Sequence, residues 1–338
     1  MISGFATTEG TARAAARFPG FYRPAQDLQV SNIGIGSYLG APDEETDRGY
    51  TESVKEAVAA GLNFIDTSLN YRNQRSERAI GAALRDLRRD ELVVCTKAGF
   101  LVPGALPAYL RPGDVVENTH SMTPDFLADQ LERSRQNLGI ETVDVFYLHN
   151  PETQLNRVAP TEFHARILRA FEFLERAVSE GKIRFYGTAT WDGYRRRPGA
   201  PEGLSLRALH TSAENIAGSA HHFRFIQLPF NLAMPEAYVL LRDGVNLLTS
   251  AARLGITVVS SASILQGRLA RNLPEGLASQ LPGIATDAQR ALQFTRSTPG
   301  VTVALVGMSS VQHVHENLGL ATVPPLAESE YQALYRQG

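Results

Sequence analysis

Four residues in the first half of this 338-residue chain could act together on one oxygen atom. Asp66 and Tyr71 lie in GLNFIDTSLNYRNQRSERAIGAAL (61–84), where an apolar run gives way to a helical one. Lys97 sits near the end of LVVCTKAG (92–99), and His149 near the end of VDVFYLHN (143–150). A free phenol has a pKa near ~10 and is a poor acid at neutral pH. An ammonium beside it favours the phenolate and lowers that pKa. A carboxylate behind the ammonium holds it in place, and a neutral imidazole can donate a hydrogen bond to a substrate oxygen. Such a set protonates an oxygen as negative charge builds on it. Hydride reduction of a carbonyl needs that chemistry, and the hydride must come from a cofactor because no side chain supplies one.

For these residues to meet, distant segments must end at one place. Eight apolar runs of strand length recur: IGIGSY (33–38), NFIDTS (63–68), LVVCTKAG (92–99), VDVFYLHN (143–150), IRFYGTATW (183–191), FRFIQLPFN (223–231), ITVVSSASI (256–264) and VTVALVGM (301–308). Most are apolar throughout, as strands covered on both faces are. Helical patterns lie between them: YTESVKEAVAAG (50–61), SERAIGAALRDL (76–87), TPDFLADQLERSRQNLG (123–139), ARILRAFEFLERAVSEG (165–181), VNLLTSAARLG (245–255) and SVQHVHENLGLA (310–321). Proline near a start and glycine past an end punctuate them as helices. The other two intervals are less regular.

Eight strand–helix units in order predict an α/β protein with a (β/α)8 TIM barrel as a single domain over 29–338, preceded by a flexible arm at 1–28. A doubly wound sheet is the competing architecture. It usually carries a Gly-rich turn after its first strand, and GIGSYLG has the wrong spacing with no helix directly behind it. Two long loops, 100–121 and 192–204, follow strand ends and would cover the C-terminal mouth of the barrel.

Strand alternation gives each candidate its direction. If Lys97 points inward, so do Cys95 and Val93; with His149 go Tyr147 and Val145; with Asp66 goes Phe64. Phe146 and Leu148 then face the helices. A charged lysine inside a barrel is costly unless paired, and Asp66 meets that requirement. Thr188, Thr190, Gln227, Ser261 and Ser263 lie in or at the ends of strands five to seven and would ring the same mouth.

Composition narrows the partners. Lys and Arg total 33 against 35 Asp and Glu, a formal net charge of −2, which does not point to nucleic acid or a membrane surface. No apolar run approaches the ~18 residues of a membrane span. The single cysteine, Cys95, is read as a small core residue and fits a reducing, cytoplasmic setting. The first twenty residues contain Arg and few acids, faintly like a transit peptide, but have no apolar h-region. The histidines show no metal spacing.

Taken together, the sequence resembles the aldo-keto reductase family. GLNFIDTSLNYRNQRSERAIGAAL looks like its G-x-x-x-[IF]-D-T-A-x-x-Y-x-[NS]-E signature. VVCTKAG, VDVFYLHNPE, GKIRFYGTATW, FIQLPFNL, GITVVSSASILQGRLA and VGMSSVQHVHENLGLA follow its later landmarks in order. The resemblance implies a barrel using NADPH, with Asp66, Tyr71, Lys97 and His149 as the catalytic tetrad and a small carbonyl or alcohol as substrate. It also implies a cofactor path: Gly36 and Ser37, Thr188 and Thr190, and Gln227 on the nicotinamide carboxamide. The loop from Ser263 through Leu265, Gly267 and Arg268 would wrap the pyrophosphate. Gly307, Ser309, Gln312, His313, Glu316 and Asn317 would take the adenosine end. Phe100 and Trp191 would line the substrate pocket.

The chain departs from the family at several of these places. Ala189-Thr190 stands where many members have Ser-Asn, and Ala262 where many have a stacking tyrosine. Gly307 and His313 stand where many have a lysine and an arginine for the 2′-phosphate, so NADH remains open beside NADPH. Arg268 or the Arg195–Arg197 run could compensate. These departures also keep open a second reading, a nicotinamide-nucleotide-binding regulatory protein on the same barrel with little turnover.

Overall fold

The computed structural model describes residues 1–335 apart from 104, 106, 156, 198, 242 and 243; those positions in the long loops lie outside the described residues. Eight parallel strands close into a barrel: β3 (Ile33–Gly36), β4 (Phe64–Asp66), β5 (Val93–Ala98), β6 (Val143–His149), β7 (Ile183–Ala189), β8 (Phe223–Pro229), β9 (Thr257–Ser261) and β10 (Val303–Gly307). β10 pairs with β3 to close the ring, Ala304 opposite Ile33 and Gly307 opposite Gly36. Each strand coincides with one of the eight apolar runs.

The helices wrap the outside: α2 (Glu44–Ala59), α3 (Arg75–Leu84), α4 (Pro124–Leu138), α5 (Pro160–Ser179), α6 (Leu206–Ala217), α7 (Glu236–Val239), α8 (Leu247–Arg253), α9 (Glu275–Gln280), α10 (Asp287–Ser297), α11 (Val311–Leu318) and α12 (Glu328–Ala333). Their ends follow local chemistry. Pro124 opens α4 and Gly139 closes it at φ 68. The Asp43 side chain accepts from the Thr46 amide and starts α2 a turn and a half before its apolar pattern begins. No helix among the described residues is long and apolar enough to cross a membrane.

Two apolar layers result. Ile65, Val94, Phe146 and Leu148 belong to the layer between strands and helices. Phe64, Val93, Cys95, Val145, Tyr147, Phe225, Val259, Val303 and Leu305 fill the barrel interior. The alternation expected around Lys97, His149 and Asp66 is therefore the one observed. At β7–β8 the register shifts at Tyr186/Gly187. A Cβ on Gly187 would lie 2.0 Å from the Phe225 carbonyl oxygen, so only glycine allows this strand approach.

The first thirty residues are not a loose arm. Thr8–Ala16 forms α1, and β1 (Tyr22–Ala25) pairs antiparallel with β2 (Leu28–Ser31). Ala6, Ala25, Leu28 and Val30 pack into the interior cluster and plug the barrel floor. The Ala6 amide donates to buried Asp144 at 2.8 Å, and the same carboxylate takes Arg89 at 2.7 Å. That floor pushes all polar chemistry of the interior to the opposite, C-terminal end.

Candidate active site

At that end, β4 and β5 lie side by side with Asp66 opposite Cys95, which sets the Lys97 side chain, one residue pair higher on the inner face, against Asp66. Lys97 Nζ donates to Asp66 Oδ2 at 2.6 Å and to the Thr67 carbonyl at 2.7 Å. Gln227 Nε2 donates to the other carboxylate oxygen, Oδ1, at 2.8 Å. Burial pushes the Asp66 carboxyl up, against the pull of Lys97 and Gln227. Burial also works against the Lys97 charge, but Asp66 and Tyr71 outweigh it and hold the ammonium above the ordinary lysine value. Both carboxylate oxygens are occupied by donors, so the pair is ionised.

Tyr71 lies over this pair. Lys97 Nζ is 5.0 Å from its ring centroid. Tyr38 and His149 pack edge-on against the phenol at 5.0 and 5.8 Å. Lys97 lowers the phenol pKa, as its charge requires, but burial outweighs it and the net shift is upward. Tyr71 is thus a protonated donor throughout the neutral range, not the acidified phenol that the lysine alone would make.

The turn after Tyr71 is strained and tied down. Arg72, Asn73 and Gln74 have φ of 49, 55 and 72, a left-handed run that glycine adopts at lower cost. Arg72 donates to the Ala41 carbonyl at 2.8 Å and to Asp47 Oδ1 at 2.7 Å, fixing the turn to the start of α2. Gln74→Gly is expected to raise stability by a net ~1 kcal/mol. A urea midpoint that stays put or falls would show that the turn stores no strain at this residue.

His149 ends β6 with Nδ1 3.1 Å from Ser68 Oγ. Burial, with Lys97 and His120 nearby, drives its pKa well below the ordinary value, so the ring is neutral. When Ser68 donates to Nδ1, the ring proton resides on Nε2, and the residue lines the cleft as a hydrogen-bond donor. Phe100 packs edge-on against the ring at 5.1 Å.

All of this lies in one cleft of ≈ 740 Å³ at the barrel mouth. Asp66, Tyr71 and His149 line it, as do Phe100 and Trp191, with Lys97 buried directly behind. Of the expected nucleotide contacts, Gly36, Ser37, Thr190, Gln227, Ser263, Gly267, Gly307, Ser309, His313, Glu316 and Asn317 line it too. Asn317 is buried there, and its Oδ1 has no hydrogen-bond partner. A buried amide oxygen left bare in a cleft wall suits a ligand donor such as an adenine amino group.

Four expected contacts fall outside the lining: Thr188, Leu265, Arg268 and Gln312. Thr188 shares the outward parity of Tyr186, and its hydroxyl is bonded to Tyr194 at 2.5 Å. Arg268 and Gln312 are exposed. Gln312 lies one turn before Glu316, at the edge of the His313, Glu316 and Asn317 stripe, and does not reach the cleft lining. The Arg195–Arg197 run is also elsewhere: Arg195 pairs with Glu236 at 2.5 Å and Arg196 with Asp192 and Glu202. Among the described residues, the arginine that lines the cleft is Arg271, three residues beyond Arg268 in the same loop. Tyr38, Leu39, Asn70 and Asn150 join it as lining residues that the sequence reading did not single out, although Tyr38 and Asn150 close two of the apolar runs.

A closed eight-stranded parallel barrel with its polar cluster at the C-terminal mouth defines the architecture. Residues 32–196, the segment that holds Asp66, Tyr71, Lys97 and His149, match the aldo/keto reductase family. A candidate voltage-gated potassium channel subunit beta from Schizosaccharomyces pombe is 27% identical over 314 residues, 86% of this chain and 84% of that protein. The NADH-specific methylglyoxal reductase of Escherichia coli is 30% identical over 171 residues, 49% of this chain and 50% of that protein. An aldo/keto reductase from Klebsiella pneumoniae, crystallised with NADP and acetate, shares the fold with TM-score 0.65 and 22% identity, covering 94% of each chain.

Proposed function

We propose that the protein is an NAD(P)H-dependent oxidoreductase that interconverts an aldehyde or ketone with its alcohol. What carries this reading is the Lys97–Asp66 pair bonded at 2.6 Å beneath Tyr71, on the same cleft that Asn317 lines with an unpartnered oxygen. Bound along the cleft, a reduced nicotinamide nucleotide supplies hydride to the carbonyl carbon. Tyr71 delivers its proton to the oxygen as the negative charge develops, so that one hydride and one proton complete the alcohol. The Lys97 ammonium stabilises the phenolate left behind, and Asp66 and Gln227 keep that ammonium in place. His149, neutral, donates to the substrate oxygen and orients it. Gln227 has an Oε1 free of hydrogen bonds among the described residues, suited to a carboxamide NH2. Arg271 and His313 are the groups suited to a 2′-phosphate. NADPH is the proposed cofactor, with NADH accepted as well.

Titration with NADPH and NADH, followed by turnover of small aldehydes and ketones, tests this. Micromolar binding of one nucleotide and its oxidation by at least one carbonyl are expected; failure of both nucleotides to bind removes the reading. The likeness to the channel subunit over 314 residues favours a second reading, a nucleotide-binding regulatory barrel. Tight nucleotide binding with no turnover of any carbonyl would select it.

A further inference from the structure

We infer that Glu152 is a positioning residue: its carboxylate fastens the Trp191 loop to the edge of the active-site cleft and holds it less tightly once protonated, so that substrate affinity follows its charge. This rests on the cleft being the catalytic one proposed above, but the fastening itself does not.

The geometry is that of a built cradle. Glu152 follows His149 by three residues, in a short turn entered through Asn150 at φ 49. Its Oε1 accepts from three successive backbone amides of the next loop: Trp191 at 2.7 Å, Asp192 at 3.2 Å and Gly193 at 3.3 Å. Successive amides converging on one oxygen form an anion-binding concavity. The residue is 4% exposed, and its Oε2 is buried with no partner. A proton therefore has a place on Oε2 that leaves the amides on Oε1 in position but removes the charge that strengthens them. The loop so held carries Trp191, which lines the cleft at 39% exposure. Glu152 does not line the cleft and touches no reacting atom.

Burial pushes the Glu152 carboxyl up to about 7, against its backbone hydrogen bonds, which favour the charged form. A raised carboxyl stabilises the fold fully below the ordinary value of 4.5, and that stability is lost as pH rises to about 7. Above that pH the chain carries a buried charge at a cost to stability, while the loop is held most tightly. That exchange fits a positioning role better than a structural one.

Other titratable and charged groups stand on the elements packed around it. His149 is neutral, and burial pushes His120, bonded to the His149 carbonyl, down to about 4. Arg166 of α5 donates to Gln154, two residues past Glu152. In the loop itself, Asp192 faces Arg195 and Arg196, and Arg195 faces Glu236.

Trp191 is the chain's one tryptophan, so intrinsic emission reports on this loop directly. In the wild-type protein without ligand, emission is expected to shift between pH 5.5 and 8.5 with a midpoint near 7. Glu152→Gln keeps an acceptor on Oε1 without the charge, and should show the low-pH emission at every pH. The melting temperature of that variant should rise relative to wild type as pH passes from 5 to 8. With 4-nitrobenzaldehyde and NADPH as probes, Glu152→Ala should raise KM about ten-fold, the size of a lost charge-assisted hydrogen bond, with kcat little changed. Glu152→Gln should match the wild-type KM at pH 6 but exceed it at pH 8. A flat wild-type emission titration, the same midpoint in Glu152→Gln, or an unchanged KM in Glu152→Ala would each overturn the inference. If neither nucleotide binds, the emission and melting measurements still decide the fastening, and only the link to substrate is lost with the proposed function.

Discussion

Tyr71→Phe is expected to lower kcat for carbonyl reduction about 10²–10⁴-fold, the range of a lost general acid, with nucleotide affinity unchanged. The substitution is close to a pure test of the proton. The phenyl ring keeps the edge contacts with Tyr38 at 5.0 Å and His149 at 5.8 Å, and still lies over Lys97. Only the hydroxyl is lost. His149 would remain as a donor to the substrate oxygen, but a neutral imidazole donating from Nε2 has no proton relay behind it except Ser68. The residual rate should thus stay small and lose whatever pH dependence the phenol imposes. In wild type that dependence lies on the alkaline side, because burial raises the Tyr71 pKa above its ordinary value of 10. The wild-type kcat should hold through neutral pH and fall only above about 10 as the phenol ionises. Wild-type kcat in Tyr71→Phe would remove the proton donor from the mechanism while leaving nucleotide binding intact.

The barrel was legible because its strands are continuous apolar runs buried on both faces, a pattern that few other architectures impose. Asp66, Lys97 and His149 were legible for a related reason: each is the polar residue that interrupts such a run at its C-terminal end. Where the pattern weakens, so does the reading. TEGTARAAA forms α1 on small residues with little apolar periodicity, and Pro24 inside YRPA hides β1. The α10 helix is buried all round its last two turns, Gln293, Thr295, Arg296 and Ser297 beside Leu292 and Phe294, so polar residues blur the stripe of Ala288, Ala291 and Leu292. Thr188 was misplaced although the sequence held the correction. It lies two residues from Tyr186, which packs among the helices, so alternation sends both outward. Loop positions carry no such parity, which is why Arg268 was expected at the phosphates and Arg271 is the arginine on the cleft. The raised Tyr71 pKa was hidden for a different reason. A sequence shows which charge stands near a group, but not how much water the fold removes from it.

Lys97→Met separates what the buried pair does for the fold from what it does for the reaction. Removing the ammonium strips Asp66 of its cation and leaves Gln227 as its side-chain donor. Burial already pushes that carboxyl up, and without Lys97 the push is unopposed by charge, so the protonated form of Asp66 is favoured further. Breaking one side of a buried pair costs about 3–5 kcal/mol when the remaining charge cannot be neutralised. Protonation should hold the observed loss toward the lower end. Adding Asp66→Asn to Lys97→Met removes the stranded carboxyl and keeps a near-isosteric amide for Gln227, and most of the lost stability should return. Activity should not. Lys97 supplies the one charge that favours Tyr71 phenolate, opposing both burial and Asp66, and losing a buried electrostatic stabiliser of this kind costs about 10²–10³-fold in kcat. The double variant is therefore expected to melt near wild type while reducing carbonyls as poorly as Lys97→Met alone. Recovery of kcat together with stability would mean that the ammonium serves only the packing of β4 against β5, and that Tyr71 needs no charge beside it to give up its proton.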